Sequence, residues 1–234
     1  MKIIDREIFD KPFYGTRRMT AHLNILGYKV NRKRIERLYR LMGIKVQYPK
    51  KNLSKAAKGH KKYPYLLRGL EIKRPNQVWA ADITWIPMKR GFMYMMAIID
   101  LHSRKAINWS ISNAMDAQWC SEVLQEAIEE YGTPEIFNTD QGSQFTSITF
   151  TSVLKKNEIR ISMDGKGRAT DNAFVERLFR SVKQEYVYIE PANGGLELYK
   201  GLKKYIDFYN NERPHQALEY KRPNEIYQTI KKVA

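Results

Sequence analysis

Three acidic residues, Asp82, Asp140 and Glu176, stand where carboxylates need a chemical reason. Asp82 interrupts the apolar run Trp79-Ala80-Ala81-Asp82-Ile83-Thr84-Trp85, which reads as a buried strand. Aspartate disfavours strands, and an unpaired charge in an apolar layer is expensive. Asp140 ends a second such run, Ile136-Phe137-Asn138-Thr139-Asp140, just ahead of Gln141-Gly142-Ser143. Glu176 falls in a helical pattern opened by Asp171-Asn172, and 35 residues separate it from Asp140. If the three meet, they offer oxygen ligands for two Mg²⁺ (or Mn²⁺) ions, the equipment of phosphodiester chemistry.

Each residue also has an ordinary reading. Asp82 fits an exposed edge position or a hydrogen-bonded structural role, and Asp140 before Gln-Gly is common turn chemistry. Glu176 shares a helix face with Asn172, Arg180 and Lys183, at i−4, i+4 and i+7. That spacing suits a surface Glu176–Arg180 ion pair, worth roughly a few tenths of a kcal/mol. It suits equally a metal-binding carboxylate beside two cations that hold DNA phosphates. Spacing alone does not choose.

The elements that must position these acids follow from hydrophobic period and punctuation. Strands are expected over 78–86, 92–100 and 105–111, the last two joined by a hairpin connection at Leu101-His102-Ser103-Arg104. A helix over 116–131 buries Val123, Leu124, Ala127 and Ile128 and stops at Gly132-Thr133-Pro134. A strand over 135–139, a helix over 148–157, a strand over 160–163 and a helix from 172 to about 187 follow. This order predicts a three-layer α/β arrangement whose first three strands form an antiparallel meander. A helix over about 196–209 and a short one opened by Pro223 close the chain. Asp100 reads as a hairpin-turn aspartate, and His102 and His215 as loop histidines, solvated or touching DNA.

The front of the chain differs in charge. Residues 1–75 carry 21 Lys/Arg against 5 Asp/Glu, whereas residues 76–234 carry 20 of each, so the net +16 belongs to the first part. Such asymmetry points to a polyanion partner, and nucleic acid is the commonest. Residues 14–44 read as two helices, one over 16–26 with Met19, Leu23 and Leu26 on its apolar stripe. The second is capped by Asn31 and buries Ile35, Leu38 and Met42. Arg32, Lys33, Arg34, Arg37 and Arg40 cover the rest of it, which predicts phosphate contacts from a helix-turn-helix. Residues 46–75, rich in lysine and proline, read as a basic linker. Lys166 and Arg168, in the loop before Glu176, are further expected DNA contacts, with Asn172, Arg180 and Lys183.

One cysteine excludes an internal disulfide and, with four scattered histidines, a zinc-finger ligand set. No apolar stretch approaches a membrane span, so membranes are not expected partners and a cytoplasmic setting is.

Three of these segments resemble the catalytic blocks of insertion-sequence transposases, whose retroviral-integrase-like core carries a D,D(35)E triad. They are Trp79-Ala80-Ala81-Asp82-Ile83-Thr84, Asn138-Thr139-Asp140-Gln141-Gly142-Ser143-Gln144-Phe145 and Asp171-Asn172-Ala173-Phe174-Val175-Glu176-Arg177. Tyr14-Gly15-Thr16-Arg17-Arg18-Met19, Asn31-Arg32-Lys33-Arg34-Ile35, Arg213-Pro214-His215-Gln216-Ala217-Leu218 and Arg222-Pro223-Asn224-Glu225 are similar as well. The resemblance covers essentially the whole chain. It implies a ribonuclease-H-like three-layer α/β core with a mixed five-stranded sheet over 76–190, extended by C-terminal helices over 191–234. A small all-α helix-turn-helix module over 1–45 precedes it. It also implies that Asp82, Asp140 and Glu176 bind two Mg²⁺ or Mn²⁺ ions per active site and catalyse cleavage and strand transfer of double-stranded DNA, both element ends and target. A bacterial, nucleoid-associated homo-oligomer on DNA is expected. Only 13 residues precede the block at Tyr14, which suggests either a second-frame product, with an upstream-frame helix-turn-helix protein as partner, or a truncated copy with little activity alone. The rival readings are a catalytically inactive DNA-binding regulator of transposition and a nuclease that hydrolyses without joining.

Overall fold

The computed structural model describes residues 1–46, 63–164 and 172–228. The chain divides into two compact units, Met1–Lys55 and Ala56–Ala234.

The first unit holds three helices, α1 (Lys2–Asp10), α2 (Thr16–Ile25) and α3 (Arg32–Leu41). Ile4, Met19, Leu23, Ile35 and Tyr39 form its core. α1 adds a third helix to the expected pair; its signal in the sequence is Ile4 and Ile8 one turn apart, both packed on that core. Leu26, expected on the buried stripe, is half exposed, because α2 ends at Ile25 and the chain has already turned away. Both expected glycine stops are Schellman closures: Gly27 and Gly43 adopt positive φ, while the amides of Tyr28 and Ile44 reach back to the carbonyls of Leu23 and Tyr39, each at 2.9 Å. The Asn31 carboxamide accepts the Arg34 amide at 2.8 Å, as an N-cap does. Asn31→Ala should lower the stability of this unit by about 1 kcal/mol, read from urea unfolding of the full chain.

The second unit is built on a mixed five-stranded sheet in the order β3-β2-β1-β4-β5. β1 (Val78–Pro87), β2 (Phe92–Asp100) and β3 (Ala106–Ser112) form the antiparallel meander. β4 (Ile136–Thr139) lies parallel to β1, and β5 (Arg160–Met163) parallel to β4. Alternation along β1 sends Trp79 and Ala81 to one face and Val78 and Ala80 to the other. On the first face pack α4 (Ala117–Tyr131) and α5 (Ile148–Lys156). On the second pack α6 (Ala173–Val182) and α7 (Gly195–Asn211). α8 (Pro223–Gln228) sends Tyr227 into the first core, where its hydroxyl bonds Asn76 Oδ1.

Two expectations change here. Residues 63–75 are not a free linker: Leu66, Leu67, Leu70 and Ile72 pack against the core and the Leu66 amide donates to Ser162 Oγ. The apolar residues between the lysines, not the charges, decide their place. The helix expected to run to about 187 is α-helical only to Val182, and Lys183–Val187 forms a wider π-turn.

Candidate active site

Strand register lines up the acids. β1 pairs with β4 with Ala80 opposite Asn138, and β4 pairs with β5 with Asn138 opposite Ser162. Two residues further along each strand stand Asp82, Asp140 and Asp164. The period-2 pleat puts all three on the face that carries α6, because they share parity with Val78, Ala80 and Ile136. Glu176 is in the first turn of α6, which packs on that face. Asp82 and Glu176 line one cleft of about 300 Å³ with Thr84, Arg180 and Lys183.

Asp82 records this crowding. Burial pushes its carboxyl up to about 7; the neighbouring charges of Asp140, Glu176 and Asp164 push the same way, and the Ile83 amide, donating to Oδ1 at 2.7 Å, pulls it down. Lys183 is the cation that acts on Asp82. It is itself held low by burial, donates to Thr84 Oγ1 at 2.8 Å and lies 4.9 Å from the Trp85 ring centroid. Asp140 is exposed at the tip of β4, and its Oδ1 accepts the Gly142 amide at 2.9 Å. A Cβ on Gly142 would stand 2.9 Å from that oxygen and 3.2 Å from Gln144 Oε1, so glycine lets the loop close over the carboxylate.

Asp164 is the residue that sequence reasoning missed. It is nine-tenths buried, and its Oδ1 accepts Asn138 Nδ2 at 2.8 Å. Gln141 Nε2 donates to its carbonyl at 2.8 Å, which ties the Asp140 loop to the end of β5. Its sequence signal is positional: it follows β5 as Asp140 follows β4.

The other expected site residues separate into groups. Arg180 and Lys183 line the carboxylate cleft. Asn172 is buried; it stands at the α6 N-cap without capping, and its carboxamide instead donates to the Ala81 carbonyl at 3.4 Å, tying α6 to β1. Arg32, Lys33, Arg34, Arg37 and Arg40 are all exposed on α3. Lys166 and Arg168 lie outside the described residues, as does Asp171. Asp100 has the expected turn role: it is fully buried and accepts the Ser103 amide and hydroxyl, each at 2.7 Å, and the Asn76 amide at 2.8 Å. His215, expected at a solvated loop, is nine-tenths buried because it packs edge-on against Tyr209.

The chemistry of this donor set suits a hard divalent cation. All four acids offer oxygen, and the Asp82 carboxyl, raised first by burial and further by the charges of the other three, is one whose ionised form a cation would favour. Among the described residues no three His, Cys, Asp or Glu side chains are close enough together to hold one metal ion between them. Mg²⁺ does not need three, since it is held by one or two carboxylates, waters and substrate phosphate.

Known proteins agree with this architecture. Integrase core domain models match residues 72–169 and 157–223, and an HTH-like domain model matches residues 3–52. The chain is 33% identical over 219 residues to the transposase for insertion sequence element IS904 of Lactococcus lactis, covering 91% of this chain and 87% of that one. It is 34% identical over 193 residues to transposase InsF for insertion sequence IS3A of Escherichia coli, covering 77% of this chain and 64% of that protein. Among solved structures, the HTLV-2 integrase catalytic core domain in complex with magnesium superposes with a TM-score of 0.53 at 21% identity, over 66% of this chain and 97% of that one. A simian T-cell lymphotropic virus intasome chain superposes with a TM-score of 0.59 at 15% identity, over 92% and 75%.

Proposed function

Because the chain belongs to the insertion-sequence transposases built on an integrase core, we propose that it cuts and joins DNA at the cleft of Asp82, Asp140 and Glu176. What supports this reading is the strand register that sets Asp140 level with Asp82, together with the cleft that Asp82 lines with Glu176. The carboxylates of Asp82, Asp140 and Glu176 would hold the divalent ions, Mg²⁺ or Mn²⁺, two per site. When bound, such ions activate a water or a DNA 3′-hydroxyl and offset charge on the leaving oxygen.

The residues of the chain do the rest. Asp82 must lose its proton to become a ligand, and its place near 7 puts that loss in the neutral range. Arg180 and Lys183, in the same cleft, hold the phosphates of the scissile strand. The Asp140 loop is fixed at one end by its own carboxylate on the Gly142 amide and at the other by Gln141 on Asp164. The substrate is double-stranded DNA, element ends and target. The exposed arginines and lysine of α3 supply backbone affinity without base readout, and Lys166 and Arg168, outside the described residues, are kept as further DNA contacts. The reading includes a homo-oligomer on DNA, an upstream-frame helix-turn-helix partner and a cytoplasmic, nucleoid-associated setting. No helix among the described residues is long and apolar enough to cross a membrane.

A strand-transfer assay with a labelled element end and Mg²⁺ tests the proposal. Joined products support it. Cleavage without joining makes the chain a nuclease, and binding without cleavage makes it a regulator. For the helical module, Arg37→Ala should weaken all duplexes alike and reduce the slope of log affinity against log salt by about 0.9. An unchanged slope in a salt titration would remove Arg37 from the phosphate contacts.

A further inference from the structure

Round the barrel of α6 from the carboxylate cleft lies a second cavity, of about 650 Å³, which the reaction above does not use. The two share a wall: Glu176 and Arg180 line both. Arg177 and Ser181, one turn apart on the adjoining face, line only the second. Arg104 enters from the β2–β3 turn, its guanidinium 3.6 Å from the Phe174 ring centroid and bonded to the Leu101 carbonyl. Arg213 and His215 enter from the loop after α7. Arg104, Arg177 and Arg213 thus come from three separate elements to line one cavity, and all three charges act on Tyr209 in its wall. Glu185 occupies Arg213 through bonds of 2.8 and 2.6 Å. Asp100 acts on Arg104 from outside the cavity, and Glu176 is the one acid among the residues lining it.

The second, independent observation is His215. Its ring bonds to the Tyr209 backbone, while Nε2 is buried in the cavity wall without a partner. Burial and the adjacent Arg213 keep the ring neutral, down to about 4. With its one proton on the nitrogen that holds the backbone, Nε2 is a bare acceptor. A buried acceptor left unpaired is costly, so the cavity asks for a ligand that donates as well as one that is anionic. Hydrogen phosphate, with its P–OH, could serve the arginines and His215 but would leave the aromatic rim of the cavity unused. A nucleotide answers both, and the exposed rings of Phe174 and Tyr220 at the rim suit a base.

We propose that this cavity is a nucleotide subsite for one unpaired nucleotide of the DNA strand leaving the carboxylate cleft, with its phosphate between Arg104 and Arg177 and a base N–H on His215 Nε2. DNA is favoured over a free nucleotide because Glu176 and Arg180 line both cavities, so a strand lying in the carboxylate cleft runs beside this one. The inference rests on DNA being the substrate of that cleft, but not on metal or turnover.

The test is fluorescence anisotropy with the full-length protein in EDTA and three short duplexes: blunt, carrying an unpaired terminal nucleotide, and carrying the same overhang without its base. The overhang should tighten binding about tenfold over both others, on the scale of one stacked base. That gain should disappear in Arg177→Ala and in His215→Leu. Arg177 is exposed, so its variant remains informative where the His215 variant fails to fold. Equal binding of the three duplexes, or an abasic overhang that serves as well as a normal one, overturns the subsite. Saturable binding of a free deoxynucleoside monophosphate with no gain from the overhang overturns its assignment to DNA. EDTA stops turnover, so failure of the strand-transfer assay and failure of this subsite are separate results.

Discussion

Asp140→Asn should reduce both cleavage and joining by about 10³-fold or more while the chain still binds DNA. The size follows from what a metal-binding carboxylate supplies: several kcal/mol of transition-state charge stabilisation, at about 1.4 kcal/mol per factor of ten. The substitution is mild in structural terms. Asp140 is exposed, and an asparagine Oδ1 can still accept the Gly142 amide, so the loop keeps its anchor. DNA binding should persist because the exposed cations of α3 belong to a separate compact unit. Asp164→Asn is the informative contrast. Asp164 is buried on Asn138, so removing its charge should leave joining within about tenfold of wild type if it only shapes the field at Asp82. A loss as large as that of Asp140→Asn would make Asp164 a ligand. Joining by Asp140→Asn at near wild-type rates would sink the triad.

Asp82 was legible in the sequence because it broke a local rule, whereas Asp140 and Glu176 had ordinary local readings and stood out through the blocks around them. Asp82 in a strand of Trp, Ala and Ile has no propensity reason to be there, and that misfit marked it. The strands and α4 were legible for the opposite reason. Their apolar period, caps and glycine stops agreed, so Phe92–Asp100 and Arg160–Met163 have the expected bounds. What stayed hidden depends on pairing between segments. Asp164 looks ordinary until the β4–β5 register sets it level with Asp140. Asn172 shares a helical face with Glu176 in sequence, but tertiary packing turns its carboxamide to Ala81. His215 lies in a polar loop whose burial arises only because Tyr209 of α7 lies under it. Residues 63–75 follow a lysine-rich stretch and read as part of the same linker, but Leu66, Leu67, Leu70 and Ile72 pack on the core.

Asp82→Asn should make the metal-free protein more stable than wild type at neutral and alkaline pH, even as it removes activity. The sign follows from proton binding. The Asp82 carboxyl has an ordinary value of 3.8 and is held at about 7 in the folded chain. Between those pH values the folded state keeps a proton that the unfolded state gives up, so stability falls as pH rises through this window. Above it the folded chain carries the whole cost of an ionised, largely buried carboxylate beside three others, at most about 4 kcal/mol. Asparagine carries no such charge and keeps an oxygen for the Ile83 amide. Near pH 8 in EDTA the variant should therefore melt several degrees higher, at roughly 2–4 °C per kcal/mol for a domain of this size. The advantage should shrink on acidification and vanish by about pH 3, below the ordinary value of 3.8, where both states of wild type are protonated. Added Mg²⁺ should narrow the gap from the other side, since it binds the wild-type carboxylate and stabilises the folded state by mass action. Calorimetry at the two pH values decides the matter. An asparagine variant no more stable than wild type at pH 8 would mean that Asp82 is already compensated without metal, and the electrostatic case for a cation at this cleft would fail with it.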